Sequence, residues 1–189
     1  MLLRDLARSS PSVLLPHLGA AAQLILRPLD PSVPHRRKAC LASATAALQT
    51  LVHRFPMADF HEGSQRIAVG TAAGTVLLLD LVSATETARL TGHSGAVAAV
   101  AFSPSGARLV SFCLAQSQVR VYALNGSFFG FGSTPHCVAS FSSDTGKDAR
   151  ARSATQLQML EQLDLKWQGE STIVLIRGWL GTQSFQIKQ

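Results

Sequence analysis

Thr91-Gly92-His93-Ser94-Gly95, then Val97-Ala98-Ala99-Val100-Ala101-Phe102, Ser103-Pro104-Ser105-Gly106, Arg108-Leu109-Val110-Ser111-Phe112-Cys113 and Val119-Arg120-Val121-Tyr122, is the stretch on which the reading of this chain turns. Its three apolar runs have the length of strands rather than helices and are rich in valine and aromatic residues. Ser103-Pro104-Ser105-Gly106 is a β-turn signal, with proline presetting φ at the second position. Upstream, Arg66-Ile67-Ala68-Val69-Gly70 and Thr75-Val76-Leu77-Leu78-Leu79-Asp80 flank Thr71-Ala72-Ala73-Gly74, a hairpin turn with glycine at its end. Thr87-Ala88-Arg89-Leu90 adds a short strand.

Before Pro56 the texture differs. From Ser10 to Phe55 the chain is rich in alanine and leucine, and Gly19 is its single glycine. Ser10 or Ser12 can cap a helix, with Pro11 tolerated in the first turn. Val13, Leu14, Leu18, Ala21, Ala22, Ile25 and Leu29 recur near helical spacing, and the prolines of Leu29-Asp30-Pro31-Ser32-Val33-Pro34-His35 make a turn. Cys40, Leu41, Ala44, Leu48, Leu51 and Val52 then predict a second helix that ends at Phe55-Pro56. Two antiparallel helices of this kind form a hairpin that cannot bury its own apolar face and needs a neighbour.

Gly92-His93, a strand, Phe102-Ser103-Pro104-Ser105-Gly106, Leu109-Val110-Ser111 and Val119-Arg120-Val121-Tyr122, in that order, resemble one WD repeat, with Tyr122 where the signature tryptophan stands. The segment from Phe60 to Asp80 resembles the second half of a preceding repeat, Leu79-Asp80 taking the Trp-Asp place. The resemblance implies a buried structural network of His93, Ser111 and Tyr122. Its usual turn aspartate is missing: Ala115 or Gln116 stands there in a longer turn, so the network is expected to be incomplete.

A helical hairpin running into Arg54-Phe55-Pro56-Met57, then Phe60-His61-Glu62-Gly63-Ser64-Gln65-Arg66 and a Gly-His blade, resembles the C-terminal end of the WD repeat-containing protein 7 (rabconnectin-3 β subunit) family, from about Leu14 to Tyr122. Members of that family are far longer, so the chain is expected to be a fragment, a partial gene model or a truncated paralogue. The resemblance implies partners: a rabconnectin-3 α-like subunit and V-ATPase components. It also implies a role in V-ATPase assembly, vesicle acidification and trafficking, and a cytoplasmic place, peripheral on vesicles or endomembranes.

The expected fold class is therefore α+β: a helical-repeat αα-hairpin over 1–56, one to two WD-type antiparallel blades over 57–123, a loop-rich linker over 124–156, and a terminal β-meander or closing strands over 157–189. In the last part Ser171-Thr172-Ile173-Val174-Leu175-Ile176-Arg177 is a strand candidate, and Leu157 to Trp167 fits strand or helix. Two blades cannot close a ring, since propellers take about four to eight. If the chain is complete as written, exposed strand edges and a wide apolar helical face predict self-association or a requirement for a partner.

Composition narrows the functions. Apolar residues make up 47% of the 189 and charged residues 15%, too apolar for a disordered chain. The net charge of +6 is uneven. Up to Phe55, Arg4, Arg8, Arg27, Arg36, Arg37, Lys38 and Arg54 face only Asp5 and Asp30, while the remainder is nearly balanced. Arg36-Arg37-Lys38 opens the second helix, where cations oppose the helix dipole. It is a candidate basic contact, and a peripheral membrane or nucleic-acid contact by the hairpin is the alternative reading. Nucleic acid is disfavoured, because no aromatic residues interleave with the basic ones. Three cysteines (Cys40, Cys113, Cys137) make no disulfide framework and point to reduced thiols. No apolar run of about 18 residues is present for a membrane helix.

Catalysis finds little support. His136-Cys137 is an adjacent pair without further metal-ligand spacing, and zinc needs about four ligands; a hydrolase or redox protein using Cys137 and His136 is the least favoured reading. Gly146-Lys147 lacks the earlier glycine of a phosphate loop. Catalytic, cofactor-binding and metal residues are thus expected to be absent. Ser153, after Arg150-Ala151-Arg152, is a candidate phosphorylation site.

Overall fold

The structure is a computed structural model that describes residues 5, 7, 9–124, 134–143 and 156–187. The first helical arm is broken by its prolines. An α-helical turn α1 (Pro11–Leu14), a 3-10 turn at Leu15–His17, helix α2 (Leu18–Leu26) and a second 3-10 turn at Arg27–Leu29 follow one another. Pro16 and Pro28 sit inside the two 3-10 turns, where a missing N–H interrupts the α ladder. Helix α3 (Pro34–Arg54) then runs unbroken, with proline at its start, and Phe55 in extended conformation ends it.

Eleven strands follow in the described residues. They are β1 (Ala58–His61), β2 (Arg66–Gly70), β3 (Val76–Asp80), β4 (Thr85–Leu90), β5 (Val97–Phe102), β6 (Arg108–Cys113), β7 (Gln118–Ala123), β8 (His136–Ser142), β9 (Leu163–Gln168), β10 (Thr172–Arg177) and β11 (Gly181–Gln186). A short helix α4 (Gln156–Glu161) precedes β9. The strands make three antiparallel meander sheets in sequence order: β1-β2-β3-β4, β5-β6-β7-β8 and β9-β10-β11. Each is a propeller blade, and β5 contacts both β1 and β9, so the innermost strands lie side by side along one axis. The fold class is α+β, a helical layer followed by partial propeller blades.

One feature differs from the sequence expectation. The 124–156 stretch, read as a loop-rich linker, contains β8, which completes the second blade by pairing with β7 over Gln118↔Ser142 to Ala123↔His136. Downstream, β9–β11 form a third blade of three strands.

The packing follows from strand alternation, which sends successive side chains to opposite faces. Ile67, Val69, Leu77 and Leu79 of the first blade meet Leu18, Ala22, Leu26, Leu48 and Leu51 of the helices in one core. Ala68, Val76, Leu78 and Leu90 face the second blade and meet Val100, Phe102, Leu109 and Tyr122. On its far side Ala99, Ala101, Val110, Phe112, Val119 and Val121 meet Leu163, Leu165, Ile173, Leu175 and Phe185 of the third blade. The neighbour that the hairpin requires is therefore the first blade of the same chain. The expectation of an apolar helical face left for self-association is corrected, because that face is buried on β2 and β3.

The opposite end of the stack is polar. The outward rows of the third blade, read from the register, are Gln168-Thr172-Gln186, Lys166-Val174-Ser184 and Asp164-Ile176-Thr182. Lys166 and Asp164 pair at 3.1 Å, and Gln186 donates to the Thr172 hydroxyl at 3.0 Å. The second blade presents an all-apolar face to its successor, whereas the rows of the third are mostly exposed, with Val174 buried among them.

Arg37 ties the helical layer to the blades. Its guanidinium donates to the carbonyls of Leu29 (2.6 Å), Val82 (2.9 Å) and Leu81 (3.1 Å), fixing the inter-helix turn against the β3–β4 turn. Hydrogen bonds to charged groups contribute about 1.5–3 kcal/mol. Arg37→Ala is expected to lower the unfolding free energy by about 1–2 kcal/mol; Arg36→Ala, at an exposed position, should change it by less than about 0.5 kcal/mol in the same urea titration.

Candidate functional site

Two constellations of polar side chains are built into the stack. The first lies between blades one and two. Ser111 on β6 and Tyr122 on β7 point toward the first blade, and His93 stands in the loop between β4 and β5. All three are buried. The Ser111 hydroxyl and His93 Nε2 are 2.8 Å apart, and Gln116 Oε1 lies 3.3 Å from His93 Nδ1 while accepting the Ser94 N–H at 2.9 Å. Because the Ser94 amide can only donate, the Gln116 atom it meets is the oxygen, and the proton of the imidazole is assigned to Nδ1. Ser111 O–H then donates to Nε2, and the Tyr122 hydroxyl donates to the Thr91 carbonyl at 3.3 Å.

The expectation of an incomplete network is thus corrected at one place. Gln116 takes the part of the missing aspartate. Its side chain is one methylene longer than that of aspartate, which suits the longer β6–β7 turn. It supplies the acceptor without the charge, so the imidazole gains no anionic partner.

Burial pushes the His93 pKa down, opposed by the Gln116 hydrogen bond and reinforced by the Arg120 charge. Burial likewise pushes the Tyr122 hydroxyl up, with the neighbouring Ser111 side chain opposing it. The sign for His93 is that of a base whose folded pKa lies below its unfolded value of 6.5. Its contribution is fully present above pH 6.5 and is lost as the pH falls through 6.5 toward the folded value. Wild-type protein should therefore lose stability on acidification through that window, and His93→Gln should flatten this part of the curve. Thermal melts taken across the window in the two proteins check it.

The second constellation lines the inner edges of β1, β5 and β9, where a groove of about 400 Å³ runs past Asp59, Phe60, His61, Phe102, Asp164 and Trp167. Asp59 projects from β1 toward the second blade. Its Oδ2 accepts the Phe102 amide at 2.7 Å and its Oδ1 accepts the Phe60 amide at 2.9 Å. Val100 donates to the Pro56 carbonyl, and Trp167 Nε1 donates to the Ala101 carbonyl at 3.0 Å. The free edge of β5 is thereby satisfied by its two neighbours. Burial raises the Asp59 pKa despite the two amide hydrogen bonds and the nearby His61 that favour its charged form. At the adjoining turns His61 Nε2 lies 3.1 Å from the Pro104 carbonyl, and Glu170 accepts from both the amide and the hydroxyl of Ser105.

The other candidate residues are dispersed. Arg37 is engaged as described, while Arg36 and Lys38 are exposed. The basic triad is therefore split between an internal tie and two solvated charges. His136 and Cys137 lie on the exposed strand β8, where the Cys137 thiol donates to the Ala139 carbonyl at 3.3 Å and His136 Nδ1 lies 3.3 Å from the Thr134 carbonyl. Among the described residues no group of three or more His, Cys, Asp or Glu side chains is placed to hold a metal. Ser153 lies outside the described residues. The sequence reading missed Asp59 and Trp167; an aspartate inside an otherwise apolar strand opening was the available signal for the first.

No family model matches the chain. Among solved structures, Kluyveromyces lactis Hsv2 matches with a TM-score of 0.56 and 9% identity, covering 71% of this chain and 42% of that one. The β-propeller domain of Myceliophteria thermophila Cps50 (Swd1) matches with a TM-score of 0.35 and 27% identity, over 37% of this chain and 22% of that one. Sqt1 from Chaetomium thermophilum matches with a TM-score of 0.45 and 21% identity, over 69% and 34%. These are WD40 β-propeller proteins, and the first likeness shows that the blades of this chain have the β-propeller fold. The chain spans less than half the length of each of them.

Proposed function

We propose that the chain is a non-enzymatic protein-interaction scaffold, the WD-repeat portion of a rabconnectin-3-like complex that acts on V-ATPase assembly, vesicle acidification and trafficking. The observation that carries the scaffold reading is the joint between its two textures. The helical hairpin is fused to the first blade through Phe55 and Met57 in one continuous core, which presents helical and blade surfaces as a single rigid body. WD40 propellers are typically non-enzymatic platforms, and neither His136-Cys137 nor the His93 network offers a nucleophile with an orienting base beside an open site. The specific complex is supported by the order of elements that the rabconnectin-3 β-subunit family shares: a helical repeat, Arg54-Phe55-Pro56-Met57, then a Gly-His blade. On this reading the partners are a rabconnectin-3 α-like subunit and V-ATPase components, and the chain works in the cytoplasm, peripherally on vesicles. Mixing the purified chain with a purified rabconnectin-3 α subunit tests it. A stoichiometric complex in analytical ultracentrifugation is expected, and two independently sedimenting species would overturn the assignment.

A further inference from the structure

We propose that the groove along the inner edges of β1, β5 and β9 binds an arginine side chain presented by a protein partner, with the Asp59 carboxylate receiving the guanidinium. The inference rests on the scaffold reading, because the arginine must arrive on another chain.

Three observations point to this ligand. First, Asp59 lines the groove as a half-buried carboxylate that holds one backbone amide on each oxygen, which leaves acceptor capacity on both. The ion pairs Arg54–Glu161, Arg89–Glu86 and Lys166–Asp164 do not involve it. A half-buried carboxylate outside any ion pair gains from an incoming cation. Second, His61 and Trp167 bring ring side chains to the groove that Asp59 lines. A guanidinium is planar, weakly hydrated and stacks on such faces, whereas an ammonium is compact and strongly hydrated. Third, the charges facing the groove are Asp59, His61, Asp164 and Lys166, and the Lys166 ammonium is already paired with Asp164 at the rim. Outside the Lys166–Asp164 pair, the carboxylate that faces the groove is that of Asp59. Its volume of about 400 Å³ lies within the range of small-ligand sites, about 300–1,000 Å³.

The probes are N-acetyl-arginine methylamide, its uncharged isostere N-acetyl-citrulline methylamide and N-acetyl-lysine methylamide, titrated into the isotopically labelled full chain and followed by amide and indole resonances. The arginine probe should shift the Trp167 indole and the Phe60 and Phe102 amides saturably, at least about tenfold more tightly than either of the other two. Asp59→Asn should remove that preference while leaving the Ser94 amide resonance in place. Should the variant not fold, the arginine-to-citrulline ratio on the unchanged protein still decides. Equal binding of arginine and citrulline, equal binding of lysine, or shifts elsewhere on the molecule would each overturn the proposal. The probes carry no partner chain, so failure here leaves the scaffold reading intact, and failure of the subunit-binding experiment leaves the groove chemistry intact.

Discussion

Phe55→Ala is expected to lower the unfolding free energy by about 3–5 kcal/mol, the range for truncating a buried aromatic side chain. Phe55 is 2% exposed and lies at the junction of two kinds of structure. Its amide closes helix α3 on the Leu51 carbonyl, and its carbonyl accepts the Ala58 amide that opens β1, both at 3.0 Å. Its ring sits in the core that joins Leu48 and Leu51 to Met57, Ala58 and Val69. Truncation therefore removes packing from helices and blade together, in a place where neither side can close the gap by moving alone. Urea unfolding followed by far-ultraviolet circular dichroism measures the change, with Leu41→Ala, at a 48% exposed position, as the comparison expected to stay within about 0.5 kcal/mol. A loss below about 1 kcal/mol for Phe55→Ala would mean that the helices and the first blade do not share a core. Two separate transitions in the wild-type titration would mean the same.

The strands β5, β6 and β10 were legible because their reading needs only local information. Val97 to Phe102, Arg108 to Cys113 and Ser171 to Arg177 are compact apolar runs bounded by turn residues, and the structure places strands at Val97–Phe102, Arg108–Cys113 and Thr172–Arg177. Helix α3 was legible from its 3.6-residue period and from Phe55-Pro56. Strand β8 was not, because an outer blade strand is solvated on most of its length. His136, Cys137, Val138, Ser140 and Ser142 are exposed and only Ala139 and Phe141 are half-buried against the core, so the alternation is confined to the strand's second half. The hairpin's need for a neighbour was legible and the neighbour's identity was not, since Ile67, Val69, Leu77 and Leu79 look alike whether a helix or another blade covers them. The candidate site followed the same division. His93, Ser111 and Tyr122 were picked out by order along the chain, and the structure brings them together. Gln116 was set aside because it is not an aspartate, yet an acceptor oxygen at the right reach is what the Ser94 amide requires. Asp59 acquires its interest only from Phe102, 43 residues away, through a contact that no local pattern encodes.

Gly74→Ala is expected to cost about 2–5 kcal/mol, most of it from one contact. Gly74 closes the β2–β3 turn, in which its amide donates to the Thr71 carbonyl at 3.2 Å. It has a φ of +81°, and a left-handed backbone costs a residue with a Cβ about 1–2 kcal/mol. The space is the larger obstacle. A Cβ there would press far inside contact distance of the His93 carbonyl oxygen and stand 2.9 Å from that of Gly95. Both atoms belong to backbone in the loop that sets His93 against Ser111 and Ser94 against Gln116, so the loop has to shift, and overpacking of this kind adds about 1–3 kcal/mol. Gly169 separates the two contributions. It has a similar φ of +69°, but nothing lies within 4 Å of its Cβ position. Gly169→Ala should therefore show the backbone strain alone, about 1–2 kcal/mol. The excess at Gly74 over Gly169, read from urea midpoints, measures how tightly the first blade's turn is seated under the His93 loop. A perturbed Ser94 amide resonance in Gly74→Ala alone would show that the strain reaches the network, and identical midpoints for the two variants would mean that the turn and the loop are not in contact.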